Sequence, residues 1–218
     1  MKIYQYKLTI IFASFWLLIS LPLFCAAKSN MDLTPKKEVE RLVNQVLSVL
    51  KDPKLKGEDK RQIRREKLRS LVQQLFNLDT ISKRVLGRYV RKFNKKQFEE
   101  FKRLFSKLLE SVYLTKIENY SGEKIVFQEQ RMLSPNKAAV ITKIIKNDTE
   151  IPVEYRLVKK NGKWIGYDIV IEGVSLVKNY RSQFYQVLKK KDVDELLEMM
   201  RKKVEHLSSN EKKEAKNS

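Results

Sequence analysis

Cysteine and histidine are almost missing from this chain: its 218 residues contain one of each. A lone cysteine excludes a disulfide scaffold, and one histidine beside it leaves no Cys/His set with the spacing of a zinc site. Most of the material for Cys/His or Ser/His/Asp catalysis is lost with them. Glycine and proline are scarce, at 6 and 5, which excludes a collagen-like or low-complexity chain, while 42% apolar side chains suffice to bury a core. Acidic residues are the minority charge, 26 against 46 Lys plus Arg, for a net charge of +20. That balance favours anionic partners, whether nucleic acid, lipid head groups or acidic protein, and does not choose among them.

The first residues choose the compartment. Lys2 and Lys7 precede an almost unbroken apolar run from Leu8 to Phe24, closed by Cys25-Ala26-Ala27. The run includes Thr9, Ser14, Ser20 and Pro22 and falls just short of the ~18 to 20 residues of a spanning helix. This is the pattern of a cleavable signal peptide over residues 1–27. Its removal takes the only cysteine and leaves a strongly basic exported protein. Export argues against chromosomal DNA as the partner, so no nucleic acid is expected and anionic lipid surfaces become the leading anionic partner.

Beyond it, Thr34-Pro35 caps a helix carrying Val39, Leu42, Val43, Val46 and Leu50, which Asp52-Pro53 ends. A second helix is predicted from about Asp59 to Phe76, and a short third one, capped by Asp79, carries Ile81, Val85, Leu86 and Tyr89. Asn94 with Gln97 forms a capping box, flanked by the staple pair Phe93 and Phe98. The helix it opens runs to about Glu118 with an aromatic stripe of Phe98, Phe101, Phe105, Leu108 and Val112.

After Gly122 the period changes toward two. Lys124–Met132, Lys137–Lys146, Ile151–Lys160 and Lys163–Glu172 read as four antiparallel strands. Asn161-Gly162 is a type I′ hairpin turn, and its register places Leu157 opposite Gly166, Tyr155 opposite Asp168 and Arg156 opposite Tyr167. Large apolar groups on both faces of that hairpin call for cover on both sides. Gly173-Val174-Ser175 leads into a helix with Leu176, Val177, Tyr180 and Phe184. Asp192 with Glu195 caps a last helix ending near Leu207, and residues 208–218 read as a disordered polar tail. The expected fold is α+β: one domain, residues 28–207, with helices packed on a small, mainly antiparallel four-stranded sheet and an apolar cavity between them. Ser175 is expected to cap a helix, because the segment lacks the second glycine of a nucleophile elbow; no catalytic residue, metal site or enzymatic activity is expected.

Leu86-Gly87-Arg88-Tyr89, Val153-Glu154-Tyr155-Arg156-Leu157, Tyr167-Asp168-Ile169, and Glu172-Gly173-Val174-Ser175-Leu176 through Asn179-Tyr180-Arg181-Ser182-Gln183-Phe184 together resemble the MlaC family of toluene-tolerance proteins. These are periplasmic phospholipid-binding proteins of the Mla system, and the similarity covers about residues 34–205. The resemblance implies a periplasmic carrier that holds the acyl chains of a phospholipid as cargo, with no cofactor. It further implies exchange between an outer-membrane lipoprotein complex and an inner-membrane ABC transporter with an MCE domain, which would sustain outer-membrane lipid asymmetry. A hopanoid-lipid carrier of the same family, or a basic periplasmic adaptor without internal ligand, are the alternatives.

A carrier must offset the exposure of two chains of ~16 carbons, about 25 kcal/mol at ~0.8 kcal/mol per CH₂, with an apolar cavity. Candidate cavity residues are Phe98, Phe101, Phe105 and Val112 on the long helix, Ile141, Ile145, Tyr155, Leu157, Trp164 and Ile169 on the strands, and Leu176, Tyr180 and Phe184 on the next helix; core packing is the competing role of each. Tyr180 and Arg181 are the head-group candidates, with a structural pair between Arg181 and Asp168 or Glu172 as the alternative. Lys83, Arg84, Arg88, Arg91, Lys92, Lys95 and Lys96, uninterrupted by any acid, are the candidate membrane- or partner-docking surface, or else a solvated face.

Overall fold

The computed structural model describes residues 34–217, with side chains to residue 210; the expected signal peptide, residues 1–27, lies outside the described residues. Helix α1 (Pro35–Lys51) begins as its cap dictates, with the Thr34 hydroxyl accepting the Lys37 N–H, and buries Val39, Leu42 and Val43. A 3₁₀ turn, Pro53–Leu55, follows, and then α2 (Arg61–Leu75). Helix α3 (Leu78–Leu86) is capped by Asn77, which accepts from the Thr80 N–H, rather than by Asp79. Asp79 stands inside the first turn, where its carboxylate pairs with Lys83 at 2.7 Å.

A 3₁₀ segment, Gly87–Lys92, leads to α4 (Lys95–Leu109), whose capping box forms in both directions: Gln97 N–H to Asn94, and Asn94 N–H to Gln97. The long helix expected to Glu118 is present but changes character. Glu110–Leu114 is π-helical before α5 (Thr115–Glu118) resumes the α form. The extra residue per turn rotates the buried face, so Leu114 is buried and Val112, next in the α-spaced stripe, is only half-buried.

The sheet has five strands, not four, in the order β1 (Lys124–Ser134), β2 (Lys137–Lys146), β3 (Thr149–Lys160), β4 (Lys163–Ile171), β5 (Val174–Ser175), each antiparallel to the next. The unexpected fifth strand is short and hangs on a turn in which Glu172 (φ 50°) and Gly173 (φ 81°) both adopt left-handed backbone. Glutamate seldom does so, and the residue type conceals the hairpin. Asn161 and Gly162 (φ 50° and 75°) make the expected β3–β4 turn.

Near that turn the expected register holds, with Leu157 opposite Gly166. A bulge between Leu157 and Arg156 then shifts it by one, so that Arg156 faces Asp168 and Tyr155 faces Ile169. The anticipated Tyr155–Asp168 and Arg156–Tyr167 pairs do not form, because Tyr167 is the additional residue on β4.

Val140, Thr142, Tyr155 and Leu157 alternate onto the helix-covered face of the sheet, where Val140 and Leu157 join the core of α1, α3, α4, α6 (Leu176–Leu188) and α7 (Val193–Asn217). Asp192 and Glu195 cap α7 reciprocally. That helix continues past the end near Leu207 suggested by its apolar stripe, through a stretch without proline or glycine to break it. Among the described residues no helix is long and apolar enough to cross a membrane.

Candidate functional site

The amphipathic faces of α4 and α6 bring four rings together under the sheet. Phe101 stacks on Phe105 at 5.6 Å between centroids, and Phe105 meets Tyr180 edge-on at 5.2 Å. Phe184 meets Phe101 and Phe105 edge-on at 5.3 and 5.8 Å. Phe101 and Phe105 are wholly buried, and Leu157 from β3 belongs to the same core. Such contacts add to area burial through the ring quadrupoles. Burial pushes the Tyr155 phenol up to about 12, a hydrogen bond with Thr142 acting in the opposite direction. It pushes Tyr180 up to about 12 as well, with the nearby Tyr113 adding to the effect. Both phenols are therefore neutral in the folded protein at ordinary pH.

Other cavity candidates lie around this group. Trp164, Ile169, Leu176 and Phe98 are partly buried against the core, Phe98 with the amino groups of Lys83 and Lys102 over its ring at 5.7 and 5.3 Å. Ile141 and Ile145 do not belong with it. They alternate with Val140 and Ile144 and pair with Glu154 and Glu150, which puts them on the opposite face of β2. Phe76, Ile125 and Phe127 are absent from the cavity residues expected from the sequence, yet all three lie in or against the core. The period-two register of β1 against Thr142 and Ile144 identifies the last two once strand pairing is known. Among the described residues the structure does not show the expected apolar cavity between sheet and helices, where the rings contact one another. A depression of about 370 Å³ lies on the outside of α6 and α7, lined by Gln183, Gln186, Val187, Lys190, Lys191 and Met199.

Arg181 makes neither of its expected contacts. Its guanidinium donates through Nε (2.8 Å) and Nη2 to the carbonyl oxygen of Arg84, tying α6 to the end of α3. Asp168 is taken by other donors: the Ser175 hydroxyl at 2.6 Å, the Val177 N–H at 3.0 Å and the Arg156 guanidinium at 3.4 Å. Ser175 in turn accepts the Lys178 N–H at 3.1 Å and so caps α6. The hydroxyl is engaged in holding a strand to a helix, with no imidazole in that network.

The basic segment is only partly an array. Lys83 pairs with Asp79, and the Arg84 guanidinium lies 4.1 Å from the Tyr167 ring centroid. Arg88, Arg91, Lys92, Lys95 and Lys96 remain exposed, Arg88 and Lys92 resting on the Tyr89 ring at 5.3 and 5.2 Å. Among the described residues no group of three or more His, Cys, Asp or Glu side chains could hold a metal ion.

An antiparallel meander covered on one face by helices, with an aromatic interior and a basic rim, defines the class of protein. The family model for MlaC protein matches residues 40–202, most of the chain, and the protein belongs to that family. Among its curated relatives is the "intermembrane phospholipid transport system binding protein MlaC" of Haemophilus influenzae, 30% identical over 129 residues, 57% of this chain and 60% of that one. The match thus spans less than two thirds of that relative's length. The "toluene tolerance protein ttg2D" of Pseudomonas putida is 24% identical over 180 residues, 82% of each chain. A solved phospholipid-binding protein from Ralstonia solanacearum, in complex with a phospholipid, superposes with a TM-score of 0.71 at 23% identity over 81% of this chain and 99% of its own. At that identity the likeness is one of fold.

Proposed function

We propose that this protein is a phospholipid carrier of the periplasm, holding acyl chains between the sheet and the α4–α6 aromatic group. The observation that carries the reading is the buried cluster of Phe101, Phe105, Tyr180 and Phe184, in a MlaC-family domain whose fold is that of a protein solved with phospholipid. In the loaded state, hydrocarbon would take the place of part of this ring–ring contact. Loading then exchanges ring–ring contact for ring–chain contact. Phe101, Phe105, Leu157, Ile169, Tyr180 and Phe184 would line the opened space, with Phe127 and Ile125 at its β1 side.

In this reading the cargo passes between an outer-membrane lipoprotein complex and an inner-membrane MCE-domain transporter, and its traffic sustains outer-membrane asymmetry. The protein performs no bond-making chemistry. Native mass spectrometry of the exported protein tests the carrier role: a stoichiometric phospholipid that survives purification is expected. A protein that arrives empty and takes up no lipid from vesicles would refute it.

A further inference from the structure

The 3₁₀ segment Gly87–Lys92, the start of α4 and the end of α6 converge on one end of the domain. The Arg88 N–H donates to the Tyr185 hydroxyl at 3.1 Å, and the Tyr89 and Tyr185 rings meet edge-on at 4.7 Å. Gln97 in the first turn of α4 donates to Asp194 in the first turn of α7 at 2.8 Å. These contacts set Arg88, Arg91, Lys92, Lys95 and Lys96 on the same end as Lys189 and Lys190, which follow α6 one turn after Tyr185. All seven are exposed and none of them forms a salt bridge among the described residues; Lys96, one turn before Glu100, adds its charge to the Arg201 hydrogen bond that holds the Glu100 carboxyl below its usual value. Beside them lies the 370 Å³ depression, where Val187 and the 44% exposed Met199 form an apolar floor edged by Lys190 and Lys191.

Lys95 and Lys96 are also badly placed for stability. They occupy the first turn of α4, which has no acidic residue, at the positive end of that helix dipole. A cation there opposes the dipole, and acids are the residues that stabilise such a turn. The two lysines thus stand against the dipole at a cationic end of the domain that borders the apolar depression.

We infer that this end of the domain docks transiently on a bilayer surface rich in anionic phospholipid. Cations spread over an end of the domain suit a diffuse anionic plane, each adding about fivefold to partitioning near such a surface, and Val187 and Met199 reach the interfacial layer. The docking goes beyond the carrier role and rests on it for the kind of surface met.

The test is co-sedimentation of the exported protein with phosphatidylcholine vesicles, and with the same vesicles containing phosphatidylglycerol, at low and high salt. The variant R91Q/K95Q/K96Q/K190Q is run alongside. Expected are binding to the anionic vesicles only, its loss at high salt, and a drop of about tenfold or more in the variant. Thermal unfolding of the variant should be unchanged or slightly higher, because the N-terminal cations of α4 are gone. Equal binding to neutral vesicles, or full binding by the variant, overturns the proposal. Absence of vesicle binding, with salt-sensitive capture by an acidic polypeptide instead, also overturns it and assigns the surface to protein. Native mass spectrometry of the variant separates the two ideas: an unchanged lipid load leaves the carrier role standing whatever the vesicles report.

Discussion

The ring of Phe76, at the end of α2, lies where a side chain at Gly166 of β4 would stand. A Cβ at Gly166 would collide with Phe76 Cε1 and stand 2.6 Å from Cδ1. A helix end is thereby seated directly on strand backbone, opposite the wholly buried Leu157.

Gly166→Ala is therefore expected to destabilise the domain by about 1–3 kcal/mol, since the ring is buried and has nowhere to retreat. Chemical denaturation measures it. Combining the change with Phe76→Leu should recover part of the loss, whereas strictly additive penalties would show that the clash is not the cause.

Asp168→Asn is expected to cost about 2 kcal/mol. The carboxylate accepts from Ser175, Val177 and Arg156, and an amide offers one acceptor oxygen where two are in use. Urea midpoints give the loss, and Ser175→Ala should overlap with it in a double-mutant cycle because both changes loosen the start of α6.

Phe105→Ala removes the ring that touches Phe101, Tyr180 and Phe184, and should cost about 3–5 kcal/mol in the lipid-free protein. Under the carrier reading, added phospholipid should raise its melting temperature more than it raises that of the parent. Leu157→Lys should lower the copurified lipid, and circular dichroism must show the fold retained for that result to count.

Acid should weaken the domain through Glu123. The hydrogen bond from its own backbone N–H, the Lys146 ammonium at 3.0 Å and the Ser121 N–H at 2.8 Å hold this carboxyl at about 2, below the ordinary 4.5. A pKa depressed by folding contributes stability above the unfolded value and loses it as the pH falls through the folded one. Denaturation midpoints should thus decline between about pH 4.5 and 2, and Glu123→Gln should flatten that part of the profile. The partners Lys146 and Ser121 are exposed to solvent, so the effect is small and weakens with salt.

The elements that were legible in the chain are those whose signals are local. Thr34, the Asn94/Gln97 box and the Asp192/Glu195 pair each satisfy helix-end N–H groups within a few residues, and Asn161-Gly162 carries its own positive φ. What escaped was decided at longer range. The bulge at Tyr167 changes which residues face Tyr155 and Asp168, and the π turn replaces Val112 by Leu114 on the buried face. Ile141 and Ile145 have the composition of core residues and the wrong parity for it.

Taken alone, the order of residues settles where helices begin, where the hairpin turns and that the chain is basic, because caps, turns and charges act between near neighbours. Tertiary structure decided that Arg181 spends its donors on the Arg84 carbonyl, that Asp168 joins a strand to a helix, and which cations gather exposed at one end. The first and last of those outcomes depend on which groups meet across ninety or more residues, and only the closing of sheet on helices brings such groups within hydrogen-bonding distance.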